Sequence, residues 1–395
     1  MSEMNRTPAP QRRQPAPRPA VSEPVAPVNP PKKKKKKGSG TGLRVLRRVL
    51  LVFFTFILLL VVGLCMVLNL IFNGPSASAR DVLTMSLTEA SATKWVPGLF
   101  MGDELVAEIR QKVSTELPDE VSDGSQIVIN RDTGVDSADS EWADYPDGIR
   151  IENITGDTYT AHVMIIRDPS LVYMATSTER FSTEIPGTRI NHEIETEGAI
   201  AAINAGAFFD NGTSSPVVGS VPMGLVFAGG RCVWDDDTTY DGFVGFNQDD
   251  ILVVAQSMTK AEGERLGIRD GCCFGPVLVM NGSINEGAYN QNSGYNPRTA
   301  IGQRADGAVI FLCVDGRQTS SLGATYADII NIMVEYGAVN ACNLDGGSST
   351  VMLYRDTEGR YGEPGQVQMI NSYSLLQQEP RKMPTFFMVR PASEG

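Results

Sequence analysis

Two histidines, six cysteines and three tryptophans in 395 residues set the first limits on what this chain can do. His162 and His192 alone cannot furnish a His-rich metal centre, and no cysteine pair stands at zinc-ligand spacing. Cys65 lies in a long apolar run, which leaves Cys232, Cys272, Cys273, Cys313 and Cys342, an odd number with at least one free thiol. Cys313 and Cys342 sit in strongly apolar segments, where free cysteine serves as a small core residue. No disulfide framework is expected of a domain this size. Basic residues are scarce outside the N-terminus. Through residue 72 there are thirteen Lys and Arg against two acids, net +11; beyond it 21 bases face 44 acids, net −23. So acidic a region has no general affinity for nucleic acid, because neutralising phosphates takes surplus Lys and Arg. An anionic substrate would need a local basic site to overcome that field.

Residues 1–42 are rich in Pro and Ala, nearly free of aromatics, and carry the run Lys32 to Lys37. They hold too little apolar surface to offset ordering entropy and are expected to be a disordered tail. Residues 43–72 predict a transmembrane helix, since Val49 to Phe72 contains no charge and can cross a hydrocarbon core of roughly 30 Å. The length of that run and the tail before it disfavour a cleaved signal peptide. Arg44, Arg47, Arg48 and the lysine run precede the span, and nothing comparable follows. The positive-inside rule then predicts a single-pass cell-membrane protein with a cytoplasmic N-terminus and an extracytoplasmic remainder.

Residues 73–158 read as a juxtamembrane stalk, with two short helices split at Pro97-Gly98 and Asp103 capping the second. Nothing in it suggests chemistry. From 159 to 392 short apolar strands alternate with Gly, Asp, Asn and Pro turns, among them "YTAHVMIIRD", "GPVLVMNG" and "AVNACNLDGG". Asp306-Gly307 marks a hairpin. Helical spacing is clear in Tyr326, Ile329, Ile330, Met333 and Val334, with Ser320 or Ser321 as the start cap and Gly337 at the end. The fold class expected is α+β or mixed α/β, with a central mixed sheet that includes a strand-helix-strand crossover.

That crossover places Asp315 and Asp345 at the carboxyl edge of one sheet, where open α/β sheets bind ligands. Two carboxylates within roughly 5 to 10 Å suit glycosidic chemistry, one holding a proton while the other stays ionised. Gly346 and Gly347 let the backbone turn close to a ligand, and Ser348 and Ser349 offer hydroxyls to a phosphate or sugar oxygen. Arg317 supplies a planar fork for phosphate. Asn343, Asn204, Gly206, Asp210, Gly275 and Arg298 complete the expected substrate-binding set. His192 ranks below them, as a lone loop histidine. "WDDDTTYDG" at 234–242 reads as an acidic turn before it reads as a metal site. No cofactor is expected, no metal ligand is assigned, and a divalent cation such as calcium is left open. Oligomeric state is not legible.

"NPRTAIG", "DGAVIFLCVDGR" and, after a helix, "GAVNACNLDGGSSTVMLY" resemble the phosphodiester glycosidase domain of bacterial exopolysaccharide-related proteins. The mammalian uncovering enzyme carries the same domain. "INAGAFFD" and "GPVLVMNG" match its early motifs, so the resemblance covers roughly residues 159–392 in order. This chain departs in having Ser348 directly after Gly347, where the family often has a third glycine. It also has "QEPRKMPTFFMV" for the family's Glu-Arg-Pro-like element, which leaves the roles of Glu379 and Arg381 open. The resemblance implies hydrolysis between a sugar anomeric carbon and a phosphate in envelope or secreted glycans. Residue chemistry assigns Asp345 as nucleophile or general base and Asp315 as supporting acid or orienting group, with the two roles exchangeable. Two other readings stand beside it: a non-catalytic glycan-binding scaffold, and a phosphotransferase acting on lipid-linked glycans.

Overall fold

The computed structural model describes residues 40–88, 93–111, 117, 120–129, 141–209, 219–373 and 379–392. The expected tail lies outside them up to residue 39, as does Asp210. Helix α1 (Gly40–Phe72) contains the span Arg44–Phe72, which includes an 18-residue stretch of mean hydropathy 3.1 and is long and apolar enough to cross a membrane. The compact unit that begins at Gly63 holds everything described below.

Three short helices open that unit, α2 (Ala77–Thr88), α3 (Val96–Met101) and α4 (Asp103–Gln111). Pro97 does not split a helix as expected. It stands in the first turn of α3, where its missing N–H is no loss.

A seven-stranded sheet forms the centre, in the order β1 (Ile149–Thr155), β2 (Thr160–Ile166), β14 (Val309–Val314), β13 (Arg298–Arg304), β15 (Ala338–Leu344), β11 (Val277–Met280) and β12 (Ser283–Ile284). Every neighbouring pair is antiparallel. The crossover through α8 (Tyr326–Glu335) joins β14 to β15, which run the same way with β13 lying between them. The crossover is present as expected, but because β13 lies between the two strands it joins, the sheet is antiparallel throughout rather than mixed. β1 also moves the expected boundary at residue 159 toward the N-terminus, because it pairs with β2 over its whole length.

Two five-stranded antiparallel sheets stack against this one. The first runs β7 (Arg231–Asp235), β6 (Leu225–Ala228), β10 (Ile268–Cys273), β8 (Phe243–Asn247) and β9 (Leu252–Ala255). The second runs β17 (Val367–Met369), β16 (Met352–Arg355), β5 (Ala201–Asn204), β19 (Thr385–Val389) and β3 (Val172–Thr176). A two-stranded ribbon pairs β18 (Lys382–Met383) with β4 (Thr188–Arg189), and the short helices α5 (Ile190–Glu197), α6 (Lys260–Arg265) and α7 (Glu286–Tyr289) cover loops and edges.

Strand β14 shows why its sequence is continuously apolar. Val309, Phe311 and Cys313 face the core shared with the other sheets, while Ile310, Leu312 and Val314 face α8. Successive side chains point to opposite faces, and both faces are covered. On α8, Tyr326, Ile329, Ile330 and Met333 are buried as the spacing predicts, but Val334 is exposed. The helix starts later than expected. Thr325 caps it in a capping box with Asp328, because the Ser321 hydroxyl donates instead to the Asp315 carbonyl at 2.7 Å. The Asp306-Gly307 hairpin joins β13 to β14 as read. All six cysteines are free thiols.

Candidate active site

Strand β15 delivers Asp345 to the wall of a cavity of about 820 Å³. The backbone of Asp345 is clamped before its side chain does anything: its N–H donates to the Ala205 carbonyl at 3.1 Å, and its carbonyl accepts from Asn204 Nδ2 at 2.5 Å. Gly346 and Gly347 follow because nothing larger fits. A Cβ on Gly346 would lie 2.7 Å from the Pro297 carbonyl oxygen. Gly347 has φ +62°, and its Cβ would lie 3.1 Å from the Arg317 guanidinium. Arg317, itself at φ +57°, thus lies flat against the glycine turn, and its Nη2 donates to Asn296 Oδ1 at 3.2 Å. On the other side Arg381 donates to Ser348 Oγ at 3.2 Å and stacks over Phe208 at 4.9 Å. A strongly acidic region has gathered two arginines around residues 345–349.

Gly347→Ala is therefore expected to cost about 1–2 kcal/mol through its left-handed backbone and to displace Arg317, weakening inorganic phosphate binding several-fold. Thermal unfolding with and without phosphate checks both effects.

The rest of the cavity wall comes from distant segments. Asn343 lies one turn of the pleat before Asp345; its Nδ2 donates to the Gly275 carbonyl at 2.8 Å. Gly275 is itself a close-approach position, since a Cβ there would lie 2.4 Å from the Asp241 carbonyl oxygen. Arg298 is nearly fully buried. Its Nε donates to the Ala324 carbonyl at 3.2 Å, its Nη2 to the Ser293 carbonyl at 2.9 Å, and its guanidinium covers the Tyr326 ring at 4.4 Å. It shapes the wall more than it reaches for phosphate. Tyr240 and Asp241, from the supposed acidic turn, also line the cavity. Burial first, and the Asp345 carboxylate after it, hold the Tyr240 hydroxyl well above the usual phenol range, so it remains a neutral donor near Asp345. Met85 and Thr88 of α2 also line the wall, which gives the segment after the apolar helix a part in the cavity that its sequence did not suggest.

Several expected site residues stand elsewhere. Asp315 lines no part of this cavity. Its carboxylate accepts from the Ser372 N–H at 2.8 Å and lies 3.4 Å from His162 Nε2, and both side chains are buried. β13 lies between the strands that carry the two aspartates, an arrangement the expected spacing of roughly 5 to 10 Å allows, and of the two only Asp345 lines the cavity. Asn204 is fully buried and engaged with protein on both sides of its amide; besides Asp345 it accepts from the Thr299 hydroxyl at 2.8 Å and the Val351 N–H at 3.1 Å. Gly206 packs against Cys272, and Ser349 is buried behind the turn. Ser348 and Arg317 line a second, water-sized cavity of about 20 Å³, which shares Gly347 with the large one. His192 is exposed on α5. Asp236 folds onto its own turn, accepting from the Gly224 N–H at 2.8 Å and from the Thr238 hydroxyl at 2.6 Å. Among the described residues no group of three or more His, Cys, Asp or Glu is placed to hold a metal.

Asp345 thus stands beside a glycine turn, backed by arginine and facing the large cavity. Residues 197–390 match the family model described as phosphodiester glycosidase. The SPbeta prophage-derived uncharacterized protein YomE of Bacillus subtilis (strain 168) is 30% identical over 176 residues, covering 41% of this chain and 25% of that protein. N-acetylglucosamine-1-phosphodiester alpha-N-acetylglucosaminidase of Bos taurus is 28% identical over 158 residues, covering 35% of this chain and 29% of that protein. The matched region thus spans between a quarter and a third of these relatives' length. The solved catalytic domain of zebrafish N-acetylglucosamine-1-phosphodiester alpha-N-acetylglucosaminidase, auto-inhibited by its pro-peptide, superposes with a TM-score of 0.47 at 18% identity, over 62% of this chain and 82% of that one.

Proposed function

We propose that this chain is a membrane-anchored hydrolase whose domain outside the cytoplasm cleaves sugar-1-phosphate diesters in envelope or secreted glycans. The observation that carries this reading is Asp345, set at the edge of the large cavity beside a glycine turn against which Arg317 lies. The family match supports the bond type, and the apolar span with its basic flank supports the anchoring.

In this reading the glycosyl group occupies the cavity and its phosphate lies toward Gly347 and Arg317. Water attacks the anomeric carbon and gives its proton to Asp345. The bond from that carbon to the phosphate oxygen breaks, and its electron pair leaves with the phosphate. Direct attack by the Asp345 carboxylate, completed by water in a second step, uses the same position. Phosphate is already a good leaving group, so Arg317 needs only to stabilise its charge. Tyr240, kept protonated, offers a hydrogen bond beside Asp345 as positive charge builds on the ring.

The full chain in detergent micelles, incubated with a panel of sugar-1-phosphate diesters and followed by phosphorus NMR, tests the reading. Release of a phosphomonoester and a free sugar is expected. Binding without turnover would replace it with a glycan-binding scaffold, and turnover only with a lipid-phosphate donor would replace it with a phosphotransferase.

A further inference from the structure

Two buried amides on the cavity wall have polar atoms that the fold does not use. Asn343 is 1% exposed, and with Nδ2 committed to the Gly275 carbonyl its Oδ1 has no hydrogen-bond partner among the described residues. Gln291, in the loop after α7, lines the same cavity, and both Oε1 and Nε2 are buried without a partner among the described residues. Buried polar atoms are nearly always paired, and an orphaned one calls for a partner that the fold does not supply, an ordered water or a ligand group.

The backbones of both residues are hydrogen-bonded. The Asn343 N–H donates to the Pro276 carbonyl at 3.0 Å. The Gln291 carbonyl accepts from the Ser293 N–H at 2.9 Å. The same loop is pinned from α2, where Ser86 Oγ accepts from the Tyr295 N–H at 3.1 Å, and it supplies the Ser293 carbonyl that holds Arg298. Asn343 Oδ1 can only accept, so the ligand must donate to it. Gln291 can do both, so the ligand must offer a donor, an acceptor or both there.

We infer that Gln291 and Asn343 form the subsite that recognises the sugar ring through its hydroxyl groups, with Gln291 setting which sugar is accepted. The identity of the ring as the leaving glycosyl group rests on the proposed hydrolysis; the subsite itself does not. A phosphate would find no donor at Asn343 Oδ1. An apolar ligand would leave all three atoms unpaired. A hydroxyl-bearing ring satisfies them, and a site built this way rejects the analogue that lacks the hydroxyl.

The test uses the full chain in detergent micelles and a panel of methyl hexosides with their monodeoxy analogues, none carrying phosphate, with dissociation constants read by ligand-observed NMR. The wild type is expected to prefer one hexoside over one of its deoxy analogues by about tenfold or more. Gln291→Leu is expected to abolish that preference at an unchanged melting temperature, and Gln291→Glu, which keeps only the acceptors, to shift it to a different deoxy position. If the Leu variant does not fold, the Glu variant decides. An unchanged preference in a folded Gln291 variant, or no hexoside bound by the wild type, overturns the inference. Diester hydrolysis with sugar preference independent of Gln291 would leave the proposed reaction standing without this subsite. Gln291-dependent sugar binding without hydrolysis would do the reverse.

Discussion

Asp345→Asn is expected to slow cleavage of a sugar-1-phosphate diester by about 10²–10⁴-fold, the range lost when a positioned acid-base group is removed. The fold should survive intact. The Asp345 side chain is half-buried at the cavity wall, and what anchors the residue is its backbone, through Ala205 and Asn204, which the substitution leaves in place. Asp315→Asn makes the informative contrast. That carboxylate is tied to the Ser372 N–H and lies beside His162, away from the cavity, so its replacement should act mainly on stability and leave kcat within about tenfold. Initial rates by phosphorus NMR, paired with melting temperatures, separate the two. Equal losses of kcat in both variants would restore the carboxylate pair expected from the sequence.

Asn204→Leu should be among the most destabilising single substitutions in the domain. The side chains are close in size, but three groups lose their partner together: the Asp345 carbonyl, the Thr299 hydroxyl and the Val351 N–H. Each buried group left unpaired costs about 1–3 kcal/mol, for a total of about 3–6 kcal/mol after allowing for relaxation. That is a large part of the 5–15 kcal/mol that typically separates folded from unfolded. A lowered melting temperature and faster proteolysis, with any residual activity showing a displaced Asp345, is the expected outcome. A substrate-binding role would instead leave stability untouched and raise KM alone.

Much of this was legible where local pattern and tertiary packing agree. The two-sided burial of β14 follows from its unbroken apolar run, and the α8 face from residues spaced at helical intervals. The end of β15 at Asp345 and the need for Gly346 and Gly347 also follow from the residues, although what each glycine touches does not. The rest depends on pairings that no local window contains. His162 reaches Asp315 because β2 pairs with β14, which sets His162 opposite Cys313. β13 enters between the two strands of the crossover, and no local window tells that only the end of β15 opens on the large cavity. Tyr240 sat in a segment read only for its acids, and Gln291 and Met85 in segments with no chemical signal at all. In each case the missing information is which distant loops close over one cavity.

The most direct measurement is the fate of heavy oxygen from labelled water. The full chain is incubated with a sugar-1-phosphate diester in water enriched in the heavy isotope, and both products are inspected by phosphorus NMR and mass spectrometry. If cleavage occurs between the anomeric carbon and the phosphate oxygen, with Asp345 directing water to the carbon, the label is found in the sugar and none in the phosphomonoester. Label in the phosphate would mean attack at phosphorus, and the site would be a phosphodiesterase rather than a glycosidase.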